Sequence, residues 1–448
     1  MTPRRPSGRR ARAPRASLLA LVASFLLPVA RPAVAHAQDA PTEAVPPRSL
    51  QLTGLTKRQL ADESDRWHFQ GYRRTRVTRV SRDGQDLHDA TWQAIDTVPS
   101  RDMASVDASV ARFMERHRVP GFSFAIAHDG RLVLAKAYGH ADPERSEPLA
   151  PRHRFRIASV SKPLTAVAIL RLQERHYLRL HDKVFGPTAL LGSPRFPAHP
   201  QPDPRLITID HLLTHAAGGW AQDLGFDPMF HNPAWTRADL VEKTLLTQPL
   251  QREPGAEFHY SNFGFCLLGR VIEAASGRPY DAFVQSEVLQ PCGIRAMEVG
   301  GDTAADRRPD EVRYQGQDGE DPYGMKVARM DAHGGWIANA VDVVRFLVHV
   351  DQRPSKPDLL RPDSLSVLFA PGPASPRYSR GWAVNNAPNH WHDGSLPGSQ
   401  SIAVITHDGF CWAALCNTRD RGIGPDLDQL MWDVRNALTR LPAIDLFP

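Results

Sequence analysis

The sequence predicts an α/β fold of the α+β type: a five-stranded antiparallel sheet flanked by helices, beside a mostly helical lobe. Two hairpin signals and one long gap between them predict it. Asp129-Gly130 separates apolar runs at 122–127 and 132–137, and Asp408-Gly409 separates runs at 402–406 and 411–415. Asp-Gly between apolar runs favours a tight turn whose central residues take positive φ. Between the hairpins, roughly residues 180–330, helical and loop patterns prevail and strand signals are few. A strand at 381–384 is expected to bring the C-terminal contribution to three. With two strands from the start, these make the five, and helices such as 427–438 cover their faces.

Taken in order, residues 1–37 read as a signal peptide. A basic stretch ends at Arg15, an apolar run spans 18–30, and Ala35-His36-Ala37 offers small residues for cleavage. The apolar run is short for a membrane span, no cysteine lies near the cut, and no other run is long enough to cross. No stable membrane anchor is therefore expected. Residues 38–102 read as a Pro- and Ala-rich linker followed by a small accessory module, or an extended wrap against the main domain. Strand-like alternation runs from Arg74 to Val80, and Gly71-Tyr72, Gly84 and Ala90-Thr91-Trp92 resemble one copy of a repeat found in secreted bacterial hydrolases. Cell-wall or protein contact is assigned to this segment as an expectation. The main domain, 103–448, opens with an amphipathic helix at 106–117.

The basic balance does not indicate a nucleic-acid partner. The formal charge of +5 includes seven arginines within residues 1–37, which hold no acid or lysine, so the remainder carries −2. Of the four cysteines, Cys411 and Cys416 fall on one predicted strand and point to opposite faces, too far apart to bridge. No disulfide essential to the fold is expected.

Three short elements carry chemistry. Ser159-Val160-Ser161-Lys162 opens a helix that runs to about Glu174. Ser159 and Lys162, three apart, face the same side of it. A serine hydroxyl needs a base, and a lysine serves when burial or positive neighbours lower its pKa. Tyr260-Ser261-Asn262 precedes an apolar helix at 263–275 and supplies a phenol for proton transfer and an amide to orient the lysine or hold substrate. His392-Asp393-Gly394-Ser395 adds a glycine that lets a substrate backbone approach, and a Ser395 N–H that can join that of Ser159 as an oxyanion hole. Singly, each reads equally as a helix cap or a polar turn.

Together, and in this order, the three elements resemble the serine β-lactamase and DD-peptidase (penicillin-binding-protein-like) family, in the class C-like branch that includes secreted esterases and D-amino-acid peptidases. The segment 207–215 with Gly218, and Gly334-Gly335-Trp336 with 342–347, match further family segments. The resemblance covers about 103–440 and implies a β-lactamase/transpeptidase-like fold. It makes Ser159 the acylated nucleophile, with Lys162 and Tyr260 sharing the proton work. Asn262 would line the cleft, with Gly394 at the substrate edge, His392 in place of a frequent lysine, and the Ser159 and Ser395 N–H groups on the oxyanion. It implies no cofactor and a small-molecule ester, β-lactam or peptide substrate. Asp393 stands where penicillin-recognising members carry Thr or Ser, and an aspartate there repels a substrate carboxylate. The pattern therefore favours an esterase or peptidase over an efficient β-lactamase.

Other readings are weaker. His211 and His215 share a helix face, but Leu212 follows His211 and no third ligand is near, so no metal is expected. Gly121-Phe122-Ser123 runs into a strand instead of leaving one for a helix, the wrong context for a nucleophile elbow. A catalytically silent binding protein on the same fold is the alternative of another class. Trp220, Phe226, Phe230 and Trp235 either line an acyl pocket or belong to the core.

Overall fold

The computed structural model describes residues 48–448 other than 83, 198 and 199, so the leader read at 1–37 lies outside the described residues. Strand β1 (Ser49–Leu55), helix α1 (Lys57–His68) and strands β2 (Tyr72–Arg82) and β3 (Gln85–Ala94) come first. The strands pair antiparallel in the order β1-β3-β2. Thr56 and Gln59 cap α1 reciprocally, and Leu60, Tyr72, Ala90 and Trp92 form a small apolar cluster of their own. Phe69 leaves that cluster for the main core, and its carbonyl accepts from Ala135 N at 3.1 Å.

Next come α2 (Ser100–Arg116), β4 (Gly121–His128), β5 (Arg131–Asp142), β6 (Glu147–Pro148), β7 (Phe155–Arg156) and α3 (Ser161–Glu174). The helical lobe holds α4 (Ile209–Leu213), α5 (Arg237–Thr247), α6 (Asn262–Ser276) and α7 (Tyr280–Val284), with one short strand, β8 (Glu298–Val299). The chain returns through β9 (Trp336–Ala338), α8 (Ala340–Leu347), α9 (Pro362–Phe369), β10 (Ala383–Val384), β11 (His390–Leu396), β12 (Ser399–Ile405), β13 (Phe410–Cys416) and α10 (Ile423–Ala437).

The main sheet is antiparallel with order β10-β11-β12-β13-β4-β5-β6. Five long strands are flanked by two-residue strands on both edges. One expectation is corrected. Residues 381–384 supply only the short β10, and the third long C-terminal strand is β11, the segment carrying His392 to Ser395. Its polar sequence hides it, because only alternate residues are buried and His392 and Gly394 are among those.

The two Asp-Gly turns lie where expected, and the strands beside them are apolar without alternation because both sheet faces are covered. On β13, Cys411, Ala413 and Leu415 join the core under α3 and α8, while Trp412, Ala414 and Cys416 join the cluster under α2 and α10. Each fully buried large apolar side chain contributes about 1.5–3 kcal/mol. The same alternation separates Cys411 from Cys416, and all four cysteines are free and buried.

Candidate active site

The site is built where β7 ends. Ser399 Oγ and Ser401 Oγ of β12 donate to the carbonyls of Arg156 (2.5 Å) and Ile157 (2.8 Å), fastening this segment to the sheet. Ile157 N donates to Trp336 O at 3.0 Å. Ala158 then takes φ of +45° and begins a 3₁₀ turn, Ala158–Val160, that continues into α3. A non-glycine residue at positive φ costs on the order of 1–3 kcal/mol. The tethers on Arg156 and Ile157, just before it, sustain that strain. The turn leaves Ser159 partly accessible while Ala158 and Val160 are buried.

Lys162, in the first turn of α3, is fully buried. Its Nζ donates to Ser159 Oγ (3.0 Å), Asn262 Oδ1 (2.7 Å) and His333 O (3.0 Å), which uses all three protons of an ammonium. Burial pushes its pKa down to about 7, with Asp227 and Asp393 pulling the other way. When neutral, the amine keeps two donors for Asn262 and His333 and turns its lone pair to Ser159. Asn262 is itself aimed by Asp227, whose Oδ2 accepts from Asn262 Nδ2 at 2.8 Å. Asp227 is buried, and burial raises its pKa.

Tyr260 lies over the same ammonium, with Lys162 Nζ 4.7 Å from the ring centroid. Burial raises its pKa, the Ser159 hydroxyl acts in the opposite sense, and Asp393 and Asp227 reinforce the rise. Tyr260 is therefore a protonated phenol at neutral pH, able to donate.

His392 does not present a cation. Its Nδ1 lies 2.6 Å from Asp393 O and its Nε2 3.1 Å from Tyr378 Oη. A carbonyl only accepts, so Nδ1 carries the proton and Nε2 accepts from Tyr378. The phenol oxygen then accepts from His215 Nε2 at 3.1 Å, and His215 Nδ1 accepts from Ser261 N at 3.1 Å. One proton arrangement with both imidazoles neutral satisfies every member. Burial, then repulsion by Lys162, lowers the pKa of His392 to about 4 and that of His215 well below its ordinary value. An ion pair of Arg380 with Asp210 of α4 (2.6 Å) ties the Tyr378 loop to the helix that leads into His215. Tyr378→Phe is expected to leave imidazole nitrogens unpaired in the interior and to lower stability by about 1–3 kcal/mol. Urea unfolding measures this, and an unchanged midpoint would show that the chain of bonds does not form.

Gly394 of β11 passes against Ser159. A Cβ there would lie 2.3 Å from Ile157 O and 3.0 Å from Ser159 N, so no side chain fits. A cleft of about 360 Å³ is lined by Ser159, Tyr260, Asn262, His333, His392, Asp393 and Ser395, with Phe230 on its wall. The structure thus brings together Ser159, Lys162, Tyr260, Asn262, His392, Gly394 and Ser395.

Of the four aromatics noted in the helical lobe, Phe230 alone lines this cleft. Trp220 is buried with Nε1 donating to Gln248 O, Phe226 stacks on His231, and Trp235 lies under Lys243. His211 accepts at Nδ1 from Thr208 N as a helix cap, so it and His215 serve different partners. Sequence reasoning missed Asp227, the His333 carbonyl and Tyr378. Asp227-Pro228, an Asp capping a short 3₁₀ turn, was the one local signal available.

Comparison with known proteins agrees with this architecture. The chain is 25% identical over 309 residues to Protein flp of Staphylococcus aureus (strain MW2), covering 67% of this chain and 60% of that protein. The chain thus spans about 60% of the length of that relative. It is 34% identical over 203 residues to Esterase EstB of Burkholderia gladioli, covering 43% of this chain and 50% of that one. The octameric penicillin-binding protein homologue from Pyrococcus abyssi superposes with a TM-score of 0.60 at 23% identity, over 77% of this chain and 79% of that one, which speaks to the fold. A family model described as Beta-lactamase matches residues 106–436, which include every element of the cleft, and the chain belongs to that family.

Proposed function

We propose that the protein is an exported serine hydrolase that cleaves an ester or amide bond through an acyl-enzyme on Ser159, with esterase- or peptidase-like specificity. One observation carries this reading: a buried lysine with a pKa near 7 lies 3.0 Å from an accessible serine hydroxyl, with its other donors held by Asn262 and His333. In this reading Ser159 Oγ attacks the carbonyl carbon while its proton passes to neutral Lys162. The N–H groups of Ser159 and Ser395 hold the oxyanion. The leaving group departs with a proton from Tyr260, which is recharged from Lys162, and water then releases the acyl group by the reverse route. The leader read at 1–37 supports export. No helix among the described residues is long and apolar enough to cross a membrane.

Two features favour an ester or peptide over a β-lactam or a D-alanyl-D-alanine terminus, whose carboxylate needs a cation or hydroxyl. His392 is neutral, and Asp393 lines the cleft. Purified enzyme is expected to turn over a short p-nitrophenyl ester with kcat/KM at least tenfold above that on nitrocefin. Comparable or faster nitrocefin turnover would make it a β-lactamase. Failure of Ser159 to react with any serine-directed phosphonate would leave a silent binding protein.

A further inference from the structure

Asp393 is exposed on β11, two residues before Ser395, and lines both the Ser159 cleft and an adjoining one. Among the described residues no cation lies within ion-pair distance of its carboxylate. The groups that would be expected to neutralise it are committed elsewhere. His392 is kept neutral by burial and by the nearby Lys162, and its two ring nitrogens are engaged by Asp393 O and Tyr378 Oη. Lys162 has its donors on Ser159, Asn262 and His333. Arg419 grips Glu320 through Nε (3.0 Å to each carboxylate oxygen) and Nη2 (2.5 Å), and gives Nη1 to Ser395 Oγ at 3.1 Å. Arg421 lines the outer cleft but not the one holding Ser159. Asp428 of α10 adds a further carboxyl on this side, close enough for Asp393 to act on it.

Access to this carboxylate is open. Strand β10 pairs with β11 only at His390 and Trp391, so the outer edge from His392 to Leu396 has no strand partner among the described residues. A substrate lying along that edge, with its carbonyl at Ser159, passes Asp393.

We infer that the cleft selects substrates bearing a cationic nitrogen, a protonated amine or a quaternary ammonium, with Asp393 as its counter-ion. This rests on the acyl-enzyme reading above and adds the substrate class to it. An unpaired carboxylate attracts a cation, repels an anion and leaves a neutral isostere indifferent, so it acts on specificity. Its effect is screened by salt because the group is exposed.

Two matched pairs test the inference and separate the leaving-group side from the acyl side. Acetylthiocholine is compared with 3,3-dimethylbutyl thioacetate, its neutral isostere, and D-alanine p-nitroanilide with propionic p-nitroanilide. Wild-type kcat/KM is expected to favour the cation by about tenfold or more in at least one pair, and the preference should shrink between about 0.01 and 1 M salt. Asp393→Asn is expected to bring that ratio to within about twofold, and Asp393→Glu to keep most of it. Equal rates in both pairs, or a preference that survives Asp393→Asn, overturn the inference. Phosphonate labelling of Ser159 is run alongside. Labelling with turnover of the neutral esters but no cation preference defeats only this inference, whereas no labelling and no turnover defeat the acyl-enzyme reading and this inference with it.

Discussion

Ser159→Ala is expected to lower kcat on any ester that the wild-type enzyme turns over by about 10⁴–10⁶-fold, the scale on which loss of a nucleophile is felt in serine hydrolases. The fold should survive, since Ser159 sits partly exposed at the cleft and the segment before it is tethered by Ser399 and Ser401. Steady-state kinetics and the mass of a phosphonate adduct measure the effect together. A variant that keeps more than about a hundredth of the activity, or that still takes up one phosphonate, would place the nucleophile elsewhere.

Lys162→Met is expected to cost about 10²–10⁴-fold in kcat/KM, the usual contribution of a general base. The pH profile carries more information. The Lys162 pKa is pushed down to about 7, so below that value the amine is protonated and donates to Ser159 instead of accepting from it. Wild-type kcat/KM should climb about tenfold per pH unit below the inflection and level off above it. Asp227 acts on Lys162 in the raising sense, so Asp227→Asn is expected to move the inflection to lower pH. A profile flat down to pH 5 would remove Lys162 as the base.

Much of this molecule was legible in its sequence, and what was not has a physical cause. The two hairpins were readable because Asp-Gly turns require positive φ, and Asp129, Gly130 and Gly409 take it. Helix α3 and the placing of Ser159 beside Lys162 followed from helical spacing. Strand β11 was not readable, because a strand that lines a polar cleft lacks the apolar alternation by which strands are recognised. The lysine's third partner was invisible because it is a backbone carbonyl, that of His333, and every residue carries one. Tyr378 lies in a segment rich in Gly, Pro and Ser. Its role depends on His392, 14 residues on, and on His215, 163 residues back, and no local pattern joins the three. The neutrality of His392 likewise belongs to the assembled interior and to no local pattern.

The pairing of β4 with β13 has a consequence in time. Phe122 lies opposite Cys416 and His128 opposite Phe410, so the first long strand of the main sheet finds one neighbour at once and the other only when Phe410–Cys416 has been made. Closing so long a loop carries an entropic cost that local contacts do not share, and topologies of this kind fold slowly. The strand that bears Gly394 and Ser395 joins the sheet through β12 and β13, and so waits for the same closure. An unfinished chain therefore holds Ser159 and Lys162 without the edge that completes the cleft.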